Sequence, residues 1–112
     1  MEVIEVLRNI SKQVYDNIKN LDETEYVTGD FGRGAGGDIS QNIDIVSEKI
    51  VLDYLKQINF NCIVLGEECG RVEISDNPKG YLIMDAIDGT ANAINGIPFF
   101  CCSLAFATGD KL

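Results

Sequence analysis

The chain has 112 residues, 46% of them hydrophobic and 24% charged, the balance of one small globular domain. Eighteen acidic residues against nine basic ones leave a net charge of −9, which argues against nucleic acid or an anionic membrane surface as the main partner. No apolar run approaches the ~20 residues of a membrane span, and the opening MEVIEVLRN lacks the basic and apolar regions of a signal peptide, so a cytoplasmic location is expected.

Val3, Val6, Leu7, Ile10, Val14, Ile18 and Leu21 recur at helical spacing and predict an amphipathic helix over residues 2–20. Residues 28–38, TGDFGRGAGGD, hold five glycines and predict a mobile loop. Ser40 is placed to cap a second helix whose apolar side carries Ile43, Val46, Ile50 and Leu55, with Asp44 near its start. Cys62 to Leu65 reads as a short strand ending at Gly66-Glu67-Glu68, and Glu73 to Gly80 as a polar connection. The apolar run at residues 81–84 predicts a second strand, 89–94 a short helix, Phe99 to Ala107 a further strand, and Thr108 to Lys111 a hairpin turn. The chain stops at Leu112, where the returning strand would begin, so it is expected to be the N-terminal part of a longer protein.

No histidine is present, so the chain holds no Ser-His-Asp or Cys-His catalytic group by itself. Cys62, Cys69, Cys101 and Cys102 form no CxxC pair, which speaks against structural zinc; reduced, mostly buried thiols are expected, with Cys101 and Cys102 facing opposite sides of their strand.

The chemistry concentrates in Met84 to Pro98, MDAIDGTANAINGIP. Asp85 and Asp88 stand at the end of an apolar strand, and Gly89-Thr90 opens a short helix. Carboxylates at a strand end suit hard cations such as Mg²⁺, and the free N–H groups of a helix start suit a phosphate. Glu67 also ends an apolar strand, and parallel neighbouring strands would bring it beside Asp85. Asp85 would then bridge two cations, Glu67 on one and Asp88 on the other, an arrangement that serves phosphate ester hydrolysis.

Three motifs in order resemble the inositol monophosphatase family, including its archaeal members that also hydrolyse fructose 1,6-bisphosphate. Asp85-Ala86-Ile87-Asp88-Gly89-Thr90 is similar to the family's Asp-Pro-Ile-Asp-Gly-Thr/Ser, with Asn92 and Asn95-Gly96-Ile97-Pro98-Phe99-Phe100 following. Gly66-Glu67-Glu68 is similar to its Gly-Glu-Glu, and Gly34 to Asp44 to the archaeal loop Gly-Ala-Asp-Gly-Thr-Pro-Thr-x-x-x-Asp. The resemblance implies an α+β fold, paired helices on a largely antiparallel sheet, as the N-terminal metal- and phosphate-binding part (residues 1–112) of a layered αβαβα phosphatase whose C-terminal half lies elsewhere. It implies Mg²⁺-dependent hydrolysis of an inositol or sugar phosphate monoester by an activated water, usually in a homodimer. Glu67, Asp85 and the Ile87 carbonyl would hold the first Mg²⁺, Asp85 and Asp88 a second, and Asp44 with Glu67 would lie near a third. Catalysis would fall to Asp44, Glu67 and Thr90, with Thr90 and Asp44 orienting the water. Substrate and phosphate would meet Glu67, Ile87, Asp88, Gly89 and Thr90, the last two through backbone N–H groups, under the loop 29–37.

This sequence departs from the family at Ala86, where the family has proline, at Gly36, where the archaeal loop has Asp, and at Asp38-Ile39, where it has Thr-Pro. A further Asp ligand and most of the substrate pocket belong to the family's C-terminal half, so the isolated chain is expected to be inactive or nearly so. Inositol 1-phosphate, fructose 1,6-bisphosphate and nucleotide phosphates all stay open as substrates, the last through fusion to a nucleotide kinase. A non-catalytic module that keeps the fold is the alternative of another class. Two other motifs fit less well. Gly32-x-Gly34-x-x-Gly37 spells a dinucleotide fingerprint but lacks the apolar strand before it. Asp88-Gly89-Thr90 is similar to the haloacid dehalogenase motif, but Ala86 stands where that family's nucleophile belongs.

Overall fold

The computed structural model describes residues 2–19, 36–97 and 100–108, with side chains from Ile43 onward in the second stretch. Helix α1 spans Val3–Lys19 and α2 spans Gly36–Gln57. In α1 the residues Val6, Ile10, Val14 and Ile18 recur every four positions, form one stripe and are all buried. The helix expected over 2–20 is therefore present, with Asn20 and Leu21 outside the described residues.

The start of α2 corrects the reading of the glycine-rich segment. Residues 36–38, expected as loop, are already helical, and Ser40 is the fifth residue of the helix rather than its cap. Asp38-Ile39 offers the reason. A proline at 39 would disfavour helical backbone at the residue before it, and none is there. Residues 28–35, the rest of the expected loop and most of the Gly32-x-Gly34 pattern, lie outside the described residues.

Four strands follow: β1 Ile63–Gly66, β2 Gly70–Glu73, β3 Gly80–Asp88 and β4 Cys101–Thr108, in the sheet order β2-β1-β3-β4. The two outer pairings are antiparallel and the central β1–β3 pairing is parallel, so the α+β fold is built on a mixed sheet. Val64, Leu82 and Met84 share one buried cluster with Val6, Ile10, Ile43, Val51 and Leu55, and Leu104 and Phe106 pack against it. Both helices therefore lie on one face of the sheet. Ile83, Ser103 and Ala105 are exposed on the other. Gly80 lets the strands close up, because a Cβ there would stand 2.5 Å from the Ala107 carbonyl oxygen.

Three strand boundaries differ from expectation. β2 was not foreseen: Val72 is half-buried between exposed Arg71 and Glu73, too short an alternation to read as a strand. β3 continues through Asp88 instead of stopping near Met84, so Asp85 lies inside the strand. β4 begins at Cys101 rather than Phe99, and Pro98, Phe99 and the turn residues 109–111 lie outside the described residues. The short helix α3 is Thr90–Ile94, with Gly89 before it at φ 92°, a backbone region that favours glycine.

Candidate active site

The irregular end of β3 decides where its acids point. In a regular strand, residues three apart face opposite sides. Here Asp85 pairs with Ser103 and Asp88 with Cys101, so three steps on β3 span two on β4. This is a β-bulge with one extra residue. It restores parity and sets Asp85 and Asp88 opposite Ser103 and Cys101, which share one face of β4. Ala86 and Ile87, both buried, take up the extra length. Ala86 sits where the ladder is interrupted, so a residue without an N–H at that place would break no ladder bond.

The parallel β1–β3 register brings Glu67 to the same rim. Gly66 pairs with Met84, and the chain beyond each leads directly to Glu67 and Asp85. Asp44 arrives from the helix layer. Its Oδ1 accepts the hydroxyl of Thr90 at 2.8 Å, joining α2 to the first residue of α3. Burial and the like charges of Glu67, Asp88 and Glu48 hold the Asp85 carboxyl above its ordinary range, against a hydrogen bond from the Ile87 backbone. Burial, Asp85 and Glu48 likewise raise Asp44, while the Thr90 hydroxyl opposes them.

Asp44, Glu67, Asp85, Asp88 and Thr90 thus gather at one end of the sheet, with the Ile87 backbone in the bulge and Gly89 just after it. The carboxylates face one another across gaps: among the described residues, no three Asp, Glu or Cys side chains converge closely enough to hold a metal ion as they stand. In donor chemistry the set fits Mg²⁺, since it offers carboxylate and carbonyl oxygens.

Glu48 escaped the sequence reading. It is only 3% exposed, one helical turn after Asp44, and its Oε2 and Oε1 accept the backbone N–H groups of Glu68 at 3.0 Å and Cys69 at 2.8 Å. The available signal was Asp44 and Glu48 at i and i+4 on the flank of an apolar stripe, a like-charge spacing that a solvated helix face disfavours. The thiols also differ from expectation. All four are free, but only Cys62 is buried; Cys69 and Cys102 are half-buried and Cys101 is exposed. Burial pushes Cys62, Cys69 and Cys102 each up to about 11, with Glu48 adding to the effect at Cys69.

No family model matches the chain. Relatives and solved structures do. The fructose-1,6-bisphosphatase/inositol-1-monophosphatase of Methanocaldococcus jannaschii is 36% identical over 99 residues, covering 86% of this chain and 36% of that protein. The bifunctional NADP phosphatase/NAD kinase of Methanococcus maripaludis is 29% identical over 112 residues, covering 99% of this chain and 20% of that protein. The crystal structure of the extragenic suppressor protein SuhB from Bartonella henselae superimposes with a TM-score of 0.70 at 25% identity, over 95% of this chain and 40% of that one. Fold and relatives together place the chain among proteins built on the fold of these phosphatases. It belongs to the inositol monophosphatase/fructose-1,6-bisphosphatase family, and it spans 20% to 36% of the length of these two relatives. Among the described residues, no helix is long and apolar enough to cross a membrane.

Proposed function

We propose that the protein containing this chain is a Mg²⁺-dependent phosphomonoesterase acting on an inositol or sugar phosphate. The observation that carries the reading is the Thr90–Asp44 hydrogen bond at the rim that also holds Glu67, Asp85 and Asp88. Thr90 donates its hydroxyl proton to Asp44, so the lone pairs of Oγ1 are left to accept a proton from an incoming water. Asp44 is then the proton sink behind Thr90, and the pair orients the water towards phosphorus. Glu67, Asp85 and the Ile87 carbonyl are the groups that would hold Mg²⁺, with Asp88 and Asp44 contributing to further sites. Once bound, the metal supplies Lewis-acid stabilisation of the attacking and leaving oxygens. The backbone N–H groups of Gly89 and Thr90 remain the proposed phosphate contacts.

The test is turnover by the whole protein. Thr90→Ala is expected to lower kcat by about 10²-fold, the scale of one lost acid–base contribution. Asp88→Asn should abolish Mg²⁺-dependent turnover while leaving the circular dichroism spectrum unchanged. Full activity in both variants would sink the assignment. The isolated 112-residue chain is proposed to be inactive, since it spans a minority of its relatives' length. Similarity to an NADP phosphatase over 99% of the chain favours a second reading, a phosphate carried on a nucleotide. Parallel assays with inositol 1-phosphate, fructose 1,6-bisphosphate and NADP separate the two.

A further inference from the structure

We propose that Glu48 is a positioning residue: its carboxylate clamps the β1–β2 turn and so sets where Glu67 stands at the metal rim. The inference rests on the metal role proposed for Glu67. Glu67, Glu68 and Cys69 form the whole connection between Gly66 and Gly70, which face each other as the last pair of the β1–β2 ladder. Gly70, the first residue after that turn, takes φ +67°, a backbone region that favours glycine. The turn projects from the sheet, and Glu67 on it is exposed. Nothing in a short hairpin turn alone fixes the direction of its first side chain. Glu48 supplies that restraint from α2, accepting one N–H on each carboxylate oxygen.

Two features argue that this contact is built rather than incidental. A carboxylate 3% exposed is costly to bury, and an apolar side chain would seat a hairpin on a helix at lower cost. Only a two-oxygen acceptor holds both N–H groups at once. The backbone also makes room for it: a Cβ at Gly66 would stand 2.6 Å from Glu48 Oε1 and 2.7 Å from Cys69 Sγ. Asp44 lies one turn earlier on α2 and bonds Thr90. One rigid helix therefore registers two parts of the rim, Thr90 through Asp44 and Glu67 through Glu48.

The experiment is Mn²⁺ binding by the whole protein, read by electron paramagnetic resonance, alongside the amide signals of Glu68 and Cys69. Glu48→Gln keeps the shape but replaces one acceptor oxygen with an NH₂ that faces a backbone N–H. Its half-saturating Mn²⁺ concentration is expected to rise about 10- to 100-fold, the scale of losing a group that orients a ligand, with both amides shifted. Leu55→Ala, a core truncation, should lower the melting temperature and leave Mn²⁺ binding alone, which distinguishes positioning from general loss of stability. Gly66→Ala drives a methyl into the same carboxylate and should shift Mn²⁺ binding in the same direction. The proposal is overturned if Glu48→Gln binds Mn²⁺ within twofold of the native protein. If that variant does not fold, the same result for Gly66→Ala overturns it, and so does failure of both to fold. Native Mn²⁺ binding that Asp85→Asn does not disturb would instead sink the metal reading, while the amide signals still report the clamp.

Discussion

The two halves of β3 obey different rules. From Tyr81 to Met84 the strand alternates regularly, burying Leu82 and Met84 against the helices and turning Ile83 outward. From Asp85 to Asp88 the alternation breaks, the ladder bulges, and like charges are brought towards Glu67 and Glu48. The first half shows what stabilises the sheet. The second spends some of that stability to hold acids on one side, as functional sites commonly do.

The largest effect expected from breaking this contrast is in the regular half. Leu82 is fully buried at the centre of the cluster, so Leu82→Ala should cost about 2–5 kcal/mol through lost transfer energy and a residual cavity. Denaturant unfolding of the protein that carries this chain measures it. A loss below ~1 kcal/mol would mean that the helices do not pack on this face as described. Gly80→Ala comes next. Its Cβ would meet the Ala107 carbonyl oxygen at 2.5 Å and Phe106 Cζ at 2.7 Å. The ring can move but the backbone cannot do so cheaply, so about 1–3 kcal/mol of overpacking strain is expected. An unchanged melting temperature would show that β3 and β4 separate more readily at that end than the register implies.

At the acidic rim the sign should reverse. Asp85→Asn retains an oxygen to accept the Ile87 N–H and removes a charge that Glu67, Asp88 and Glu48 all oppose. In chelator-treated protein this substitution should stabilise, by about 1 kcal/mol after allowing for solvent screening. The same change should remove Mg²⁺-dependent turnover. Destabilisation by Asp85→Asn would mean that hydrogen bonding, and not repulsion, dominates at this position.

The same contrast explains what was legible in the sequence. Helix α1 could be read because Val6, Ile10, Val14 and Ile18 repeat one periodicity that one packing face rewards. Asp85, Asp88, Glu67, Asp44 and Thr90 could be named because their motifs are local and distinctive, although their convergence depends on pairings far apart in the chain. The bulge could not be read, since a one-residue excess against Ser103 and Cys101 exists only in the pairing of β3 with β4. The early start of α2 was hidden by glycines that ordinarily break helices. Glu48 was hidden for a related reason. Its partners are backbone N–H groups 20 and 21 residues away, and backbone groups leave no trace in side-chain patterns.

The finest test of the contrast lies beside Glu48. Ser47 is fully buried on the stripe of α2 that carries Ile43, Val51 and Leu55, yet among the described residues its hydroxyl has no hydrogen-bond partner. It sits next to the rim but belongs to the core, so core rules should govern it. Ser47→Ala removes an unsatisfied polar atom from an apolar setting and improves helix propensity by about 0.5 kcal/mol. A gain of roughly 0.5–2 kcal/mol is therefore expected, with Mg²⁺ dependence unchanged. Thermal unfolding and a metal titration on the same sample decide it. A loss of stability would mean that the hydroxyl holds an ordered water at the junction, and a shifted metal dependence would extend the acidic rim one residue into the helix layer. Either result would move the boundary between the two halves, because Ser47 and Glu48 are neighbours in sequence that the core and the rim now divide.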